Sequence, residues 1–312
     1  MPVLGAPLVA HTLRLLASAG VAAAALNLHH LGARIPAALG DRVGEMELSY
    51  SVEDELLGTL GPFGRLQRFF AGVDPLLLVN GDSLCRWPVG AVASAHREAG
   101  AAATLLLSAR ADPARFGGGV VVGRNGRVLS FRGQGANRAG ARVGVFAGLH
   151  LISNRLVLGV EPRPADIVRD LYEPLLEKGA LVHAVFTHRR WHDLGTPERY
   201  LTGVLAAALA SAAPGSEDAT WRGEGVEVEP GARVWSSVLE HGVTVGAGAT
   251  IENSLILPGA RVGRDAQVRD SILAPGVELA EGAHITSRLV SRGDGGEPGA
   301  AGLVETSIDR QE

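Results

Sequence analysis

Cysteine is all but missing from this chain: Cys85 is the only one in 312 residues. A lone cysteine excludes an internal disulfide and points to a reducing compartment, the cytoplasm. Aromatic residues are scarce at 4%, and neither sign of charge accumulates, the formal net charge being −4. A nucleic-acid binder would show a basic face, so nucleic acid is not expected as a partner. Long hydrophobic runs are missing too. The longest candidate, Leu13–Leu28, contains Arg14 and is divided by Gly20, so no membrane span is expected. Met1 leads directly into Pro2 and a turn-like Gly5-Ala6-Pro7 without a basic start, which argues against a secretory signal. What is present is an ordinary hydrophobic fraction, 46%, on a length that allows two domains.

Residues 1–212 alternate helix-like and strand-like stretches. The patterns predict helices over Leu8–Ala19, Leu31–Leu39, Pro62–Phe70, Val89–Ala99, Pro164–Glu177 and Pro197–Ala210. They predict strands over Ala22–Asn27, Glu47–Ser51, Pro75–Val79, Ala102–Ser108, Gly119–Val122, Val128–Arg132, Val143–Ile152 and Leu181–Val185. Such alternation implies an α/β fold with a mixed, mostly parallel, Rossmann-like sheet covered by helices. Asn125-Gly126 between two strand runs marks a hairpin, so part of the sheet is antiparallel.

Residues 213–224 read as a linker. A repeat follows over 225–292. Val228, Val245, Val262 and Leu279 are 17 apart, as are Val234, Ile251, Val268 and Ile285. Gly242, Gly259 and Gly276 keep the same period, and so do Ser237, Ser254 and Ser271. A fixed period means stacked coils, and aliphatics six apart suit the flat faces of a parallel β-helix with glycines at its corners. The pattern resembles the left-handed hexapeptide-repeat β-helix. Residues 293–312, rich in Gly, Glu and Asp, are expected to be disordered.

Two separated stretches each deliver an aspartate at the end of a buried-looking strand: Leu76-Leu77-Leu78-Val79-Asn80-Gly81-Asp82 and Trp191-His192-Asp193-Leu194-Gly195-Thr196-Pro197. Ligands of open α/β sheets bind beyond the carboxyl ends of strands. A carboxylate there can hold a hard cation such as Mg²⁺, which takes one or two protein carboxylates plus substrate phosphates. The bland reading is that Asp82 caps a turn, and that Asp193 caps the helix after it, although Thr196 is better placed for that. Cys85 reads as a small buried residue rather than a nucleophile. His29 and His30 are adjacent on an extended segment and point apart, so they do not share an ion.

These two motifs, in this order and followed by hexapeptide coils, resemble the sugar-1-phosphate nucleotidyltransferases, mannose-1-phosphate guanylyltransferases among them. Glu55-Leu56-Leu57-Gly58-Thr59-Leu60-Gly61-Pro62 resembles the family's nucleotide-contacting loop, and Pro2–Leu8 resembles the segment just after its phosphate loop. The resemblance spans roughly residues 1–290. It implies that a nucleoside triphosphate and a sugar 1-phosphate yield a nucleotide-sugar and pyrophosphate. It implies Mg²⁺ held by Asp82 and Asp193, nucleotide contacts from Glu55, Gly58, Thr59 and Gly81, and Gly148 beside the sugar. It further implies a homo-oligomer assembled through the coils. No general base is needed, because the sugar phosphate is already an anionic nucleophile; positioning and charge neutralisation are what the site must supply.

Two departures from that pattern stand out. The family's Gly-x-Gly-Thr-Arg-Leu loop, the strand before it and the lysine after it would all precede Met1, so the domain is expected to be N-terminally incomplete. Either the start is assigned too far downstream, or the product is a remnant that binds nucleotide-sugar without turnover and serves as a regulatory subunit. Phe131-Arg132-Gly133-Gln134-Gly135 replaces the family's Glu-Lys-Pro, with Arg132 or Arg138 as the stand-in cation. The coils also raise the possibility of an acyltransferase, with His241 or His284 as candidates, but the period never breaks to admit the protruding loop that such enzymes use.

Overall fold

The computed structural model describes residues 1–212, 219–293 and 303–308. It divides into two compact units: Val9–Trp191, and Met1–Leu8 together with the described residues from His192 onward. The boundary expected at residue 212 therefore differs from the observed one, and residues 213–218 of the expected linker lie outside the described residues.

The chain opens with a hairpin of β1 (Pro2–Val3) and β2 (Ala6–Pro7), and α1 spans Leu8–Ser18. In the first unit β3 (Ala23–Leu28) pairs in parallel with β5 (Met46–Val52), which is edged by the antiparallel β4 (Arg42–Val43). Leu13 and Leu16 of α1 pack against Met46 and Leu48. Between these strands lies α2 (Arg34–Leu39). Then follow α3 (Pro62–Arg65), β6 (Leu76–Val79), β7 (Ser83–Cys85), α4 (Val89–Ala99), β8 (Ala103–Ser108), β9 (Val120–Val122), β10 (Val128–Ser130), β11 (Arg142–Ile152), α5 (Glu173–Glu177) and β12 (Val182–Thr187).

The larger sheet has the order β10-β9-β11-β8-β12, with β6 also on β11. β6 and β8 are each antiparallel to β11, and β12 is parallel to β8, so β6, β8 and β12 share one direction. The sheet is mixed, as Asn125-Gly126 implied: both residues have positive φ and close the β9–β10 hairpin. Side chains alternate across β8, so Leu105 and Leu107 enter one core while Leu106 enters another with Trp87, Val92 and Leu149.

Some helices are shorter than the patterns predict. α3 stops at Arg65, and Gly64 inside it is crossed by the Glu161–Pro162 backbone, which a Cβ would meet at 2.3 Å. The Pro164–Glu177 helix resolves into a π-type turn, Val168–Tyr172, running into α5. No helix among the described residues is long and apolar enough to cross a membrane.

In the second unit β13 (Trp191–Asp193, whose last two residues belong here) leads to α6 (Pro197–Ser211). Short parallel strands then stack in three sheets. Each coil turns at three left-handed corners, and each corner recurs at the 17-residue period: Gly225, Gly242, Gly259 and Gly276; Gly231, Gly248, Asp265 and Gly282; Ser236, Asn253, Asp270 and Ser287. Successive corners are six, five and six residues apart, which is why the period is 17. Val245, Ile251, Val262 and Val268 fill the interior. The first coil strand, Trp221–Arg222, lies within the stretch expected to be linker. Leu303–Ser307, inside the tail expected to be disordered, is a strand paired antiparallel to Arg288–Arg292.

Two long-range bonds fix the opening hairpin within this unit. Gly5 N–H donates to the Glu240 carboxylate (3.0 Å), and Tyr200 O–H donates to the Pro2 carbonyl (2.5 Å). Burial pushes the Glu240 carboxyl above its usual range, and the amide bond to Gly5 opposes that shift.

Candidate functional site

Strands β6, β8 and β12 end at one edge of the sheet, the carboxyl edge at which ligands of such sheets bind. The β6 ladder closes where Asn80 N–H donates to the Gly148 carbonyl (2.8 Å). The chain then leaves the sheet, so Gly81 and Asp82 are exposed, and it returns at buried Ser83. β11 carries a bulge here: its register on β8 slips between Phe146 and His150. Gly148 sits in the bulge at φ +73°, where a Cβ would lie 2.8 Å from Ser83 Oγ and 3.3 Å from Asn80 Cβ. The bulge thus brings Gly148 against the loop that bears Asp82. Gly81, by contrast, has no atom within 4 Å of a built Cβ, so nothing in the fold demands glycine there.

The wall of this edge is aromatic. Trp191 Nε1–H donates to Ser83 Oγ (3.3 Å), and its ring tilts against Phe116 at 5.1 Å. Trp87 Nε1–H donates to the Ala147 carbonyl inside the bulge (2.6 Å). Cys85 is buried beneath, and burial pushes its thiol up to about 11, so it is no nucleophile at neutral pH.

The segment expected to contact nucleotide follows β5. Glu55, Gly58 and Thr59 are exposed. Gly58 has φ +72°, and the atom nearest a built Cβ is the Ala165 carbonyl oxygen at 2.6 Å. Thr59 N–H and Leu60 N–H both donate to that oxygen, at 3.1 and 3.0 Å, and Thr59 Oγ1 accepts from Ile167 N–H at 2.8 Å. The close approach that requires glycine here is therefore to the chain itself. Glu53, which carries no signal in the sequence, is buried just past the end of β5. One carboxylate oxygen accepts from Leu57 N–H (3.2 Å), and the other has no hydrogen-bond partner. The Glu53 carbonyl bonds His29 Nδ1 (2.8 Å), which ties the ends of β3 and β5 together.

Asp193 belongs to the other unit. Its Oδ1 accepts from Gly195 N–H (2.8 Å), and its Oδ2 lies 3.4 Å from the Arg199 guanidinium. Thr196, not Asp193, caps α6, its Oγ1 accepting from Arg199 N–H (3.3 Å) with Pro197 in the first turn. Among the described residues no group of three or more His, Cys, Asp or Glu side chains forms a metal cage.

A nucleotidyl transferase family profile matches residues 1–208, and a GlmU-like C-terminal hexapeptide profile matches residues 216–290. A mannose-1-phosphate guanyltransferase of Aspergillus fumigatus is 27% identical over 241 residues, covering 73% of this chain and 65% of its own length. One from Schizosaccharomyces pombe is 26% identical, covering 63% and 54% respectively. A mannose-1-phosphate guanylyltransferase catalytic subunit beta of Danio rerio is 26% identical, covering 64% and 55%. The chain therefore spans between 54% and 65% of the length of these relatives.

Proposed function

The chain belongs to the nucleotidyl transferase family, and from that premise we propose that it joins a nucleoside triphosphate to a sugar 1-phosphate, giving a nucleotide-sugar and pyrophosphate. GTP and mannose 1-phosphate are the first pair to test, since its fungal relatives are mannose-1-phosphate guanyltransferases. The observation that carries the reading is the Gly148 bulge pressed against the Asn80–Ser83 loop at the carboxyl edge. It joins two distant stretches into one site, walled by Trp191 and Phe116.

Asp82 and Asp193 are assigned as the metal ligands and the catalytic pair. Both offer hard carboxylate oxygens, the donor type Mg²⁺ takes one or two of alongside phosphates, so the donor set fits that ion. Arg199 at Asp193 is a cation that Mg²⁺ would have to displace or share. When bound, the ion neutralises charge on the triphosphate. Glu55, Gly58, Thr59 and Gly81 are assigned to the nucleotide and Gly148 to the sugar. The unpartnered oxygen of Glu53 beneath the loop suits a base that presents N–H donors. In this reading the coils assemble copies of the chain, and the single cysteine suits a reducing compartment such as the cytoplasm.

The test is pyrophosphate release from a panel of triphosphates and sugar 1-phosphates with Mg²⁺, for the chain as given and for the chain with its upstream codons translated. Asp82→Asn and Asp193→Asn should each lower kcat/KM by at least a hundredfold with little change in Tm. Tight nucleotide-sugar binding without turnover in either form would favour the regulatory-subunit reading. No turnover and no binding on every pair would end the proposal.

A further inference from the structure

The strand ends beside the Asp82 loop carry a second feature, built from residues outside the nucleotide, sugar and metal positions. β8 and β12 are parallel neighbours in register, and their last paired residues are Ser108 and Thr187. Each hydroxyl folds the following chain back on itself. Ser108 Oγ accepts from Arg110 N–H (3.3 Å) and Ala111 N–H (3.2 Å), and Thr187 Oγ1 accepts from Arg189 N–H (3.1 Å). Ala109 N–H donates to the Thr187 carbonyl (2.9 Å), so the pairing continues one residue past the strands. Two hydroxyl-stabilised turns thus leave the same edge side by side, and each presents an exposed arginine at its second residue.

Arg189 is also aimed. Its guanidinium donates to the Arg86 carbonyl (2.8 Å), in the segment that follows Asp82 and β7, and its charge is felt at the Cys85 thiol. Arg190 is exposed beside it, and Trp191 comes next. The turn after Arg110 runs through Asp112, whose carboxylate caps the Pro113–Phe116 turn that sets Phe116 on Trp191. Arg110 and Arg189 therefore lie on neighbouring turns at one sheet edge, each on the segment that runs on to one member of the Phe116–Trp191 pair.

Such a pair suits a phosphate oxyanion. The planar guanidinium matches phosphate geometry through two parallel N–H bonds, and it stays charged at every working pH. Composition narrows the options further, because Lys178 is the only lysine in the chain and cationic contacts to phosphate fall to arginine.

We propose that Arg110 and Arg189 form a phosphate-binding subsite at the carboxyl edge of the sheet, holding a phosphate group of the substrates beside the Asp82 loop. This rests on the nucleotidyltransferase reading for the identity of the substrates, though not for the anion chemistry. The phosphate comes either from the sugar 1-phosphate or from the triphosphate end that leaves as pyrophosphate.

Calorimetric titration of the intact protein with mannose 1-phosphate, pyrophosphate, GTP and unphosphorylated mannose tests the subsite. Arg110→Ala and Arg189→Ala should each weaken binding of a phosphorylated probe at least tenfold, leave mannose unaffected and reduce the salt dependence of binding. Loss confined to mannose 1-phosphate assigns the subsite to the sugar phosphate, and loss confined to GTP and pyrophosphate assigns it to the triphosphate. Arg110→Lys and Arg189→Lys keep the charge without the fork and should lie between parent and alanine variants; they carry the test if an alanine variant fails to fold. Unchanged affinity for all three phosphorylated probes in the Arg110→Ala/Arg189→Ala double variant overturns the subsite, as does a parent protein that binds none of them. A parent that binds these probes but releases no pyrophosphate sinks the enzymatic reading while the subsite stands.

Discussion

Single residues at the carboxyl edge are chosen for backbone reasons as much as for chemistry. Gly148 is the clearest case. A left-handed backbone costs an alanine about 1–2 kcal/mol relative to glycine, and the added Cβ would also overlap Ser83 Oγ. Gly148→Ala should therefore lower Tm and disturb the Asp82 loop, whereas Gly81→Ala, with open space and no left-handed φ, should leave Tm near that of the parent. Thermal unfolding of the two variants side by side checks the contrast. The aspartate motifs and Gly148 are legible in the sequence through resemblance. The bulge is not, because a register slip arises from pairing with β8 and leaves no local pattern. The unpartnered oxygen of Glu53 is equally hidden, since burial of a carboxylate at a strand end depends on what folds over it.

A different residue contributes to the response to acid. His150 is buried, hydrogen-bonded through Nδ1 to Tyr172 O–H (2.5 Å), and burial lowers its pKa to about 3. Its folded-state value lies below the ordinary histidine value. Its contribution to stability is therefore complete above about pH 6.5 and is lost as pH falls from there toward 3, because the unfolded chain takes up a proton the native core refuses. At roughly 1.4 kcal/mol per unit the full loss is on the order of 5 kcal/mol. The double variant His150→Leu/Tyr172→Phe removes both polar partners and leaves no orphan. Its denaturant midpoint should fall less than the parent's between pH 7 and pH 4; an identical decline in both proteins would show that other groups set the acid limit.

At the scale of elements, the coils show how a repeat is held where all but its last strand are only two or three residues long. Ser237, Ser254 and Ser271 are buried one above another. Each hydroxyl donates to the carbonyl two residues back, at 2.6–2.8 Å, and accepts from the backbone N–H of the next coil at 3.1 Å: Ser254, Ser271 and finally Arg288. The ladder follows a corner at Ser236, Asn253 and Asp270, where the backbone is left-handed. Ser254→Ala leaves the Ser271 N–H buried without an acceptor, a loss of about 1–3 kcal/mol, while Ser254→Thr keeps the hydroxyl. Urea unfolding should show the alanine variant well below the threonine one. The serine period is plain in the sequence, but its purpose is not, since the bond joins residues 17 apart. Most strands of the first unit are also legible to within a residue or two, because alternation and Gly or Pro boundaries mark them. Leu303–Ser307 is not, since its composition is that of a tail and the strand exists through its pairing with Arg288–Arg292.

At the scale of the whole chain, the place where composition changes is not the place where packing changes. The Ala- and Gly-rich stretch after α6 looks like a domain boundary, yet α6 belongs with the coils. Tyr200, Leu201, Val204 and Ala208 are its buried side, and it contacts the coil strands Val238–Leu239 and Leu255–Ile256. The opening hairpin is bound into the same unit by Glu240 and Tyr200. A chain ended at Ala212 would keep α6 and the hairpin but lose the coil surface beside them, exposing Leu201, Leu205 and the Gly5 turn. Full burial of two such side chains is worth about 1.5–3 kcal/mol each, a large share of the roughly 5–15 kcal/mol that holds a typical domain. Such a chain should therefore bind a hydrophobic dye and unfold at a lower temperature than the intact protein, with hydrogen exchange raised first at residues 2–7 and 197–211. If it instead melts cooperatively at the parent's temperature with those amides still protected, α6 and the hairpin draw their stability from elsewhere and the coils are dispensable to them.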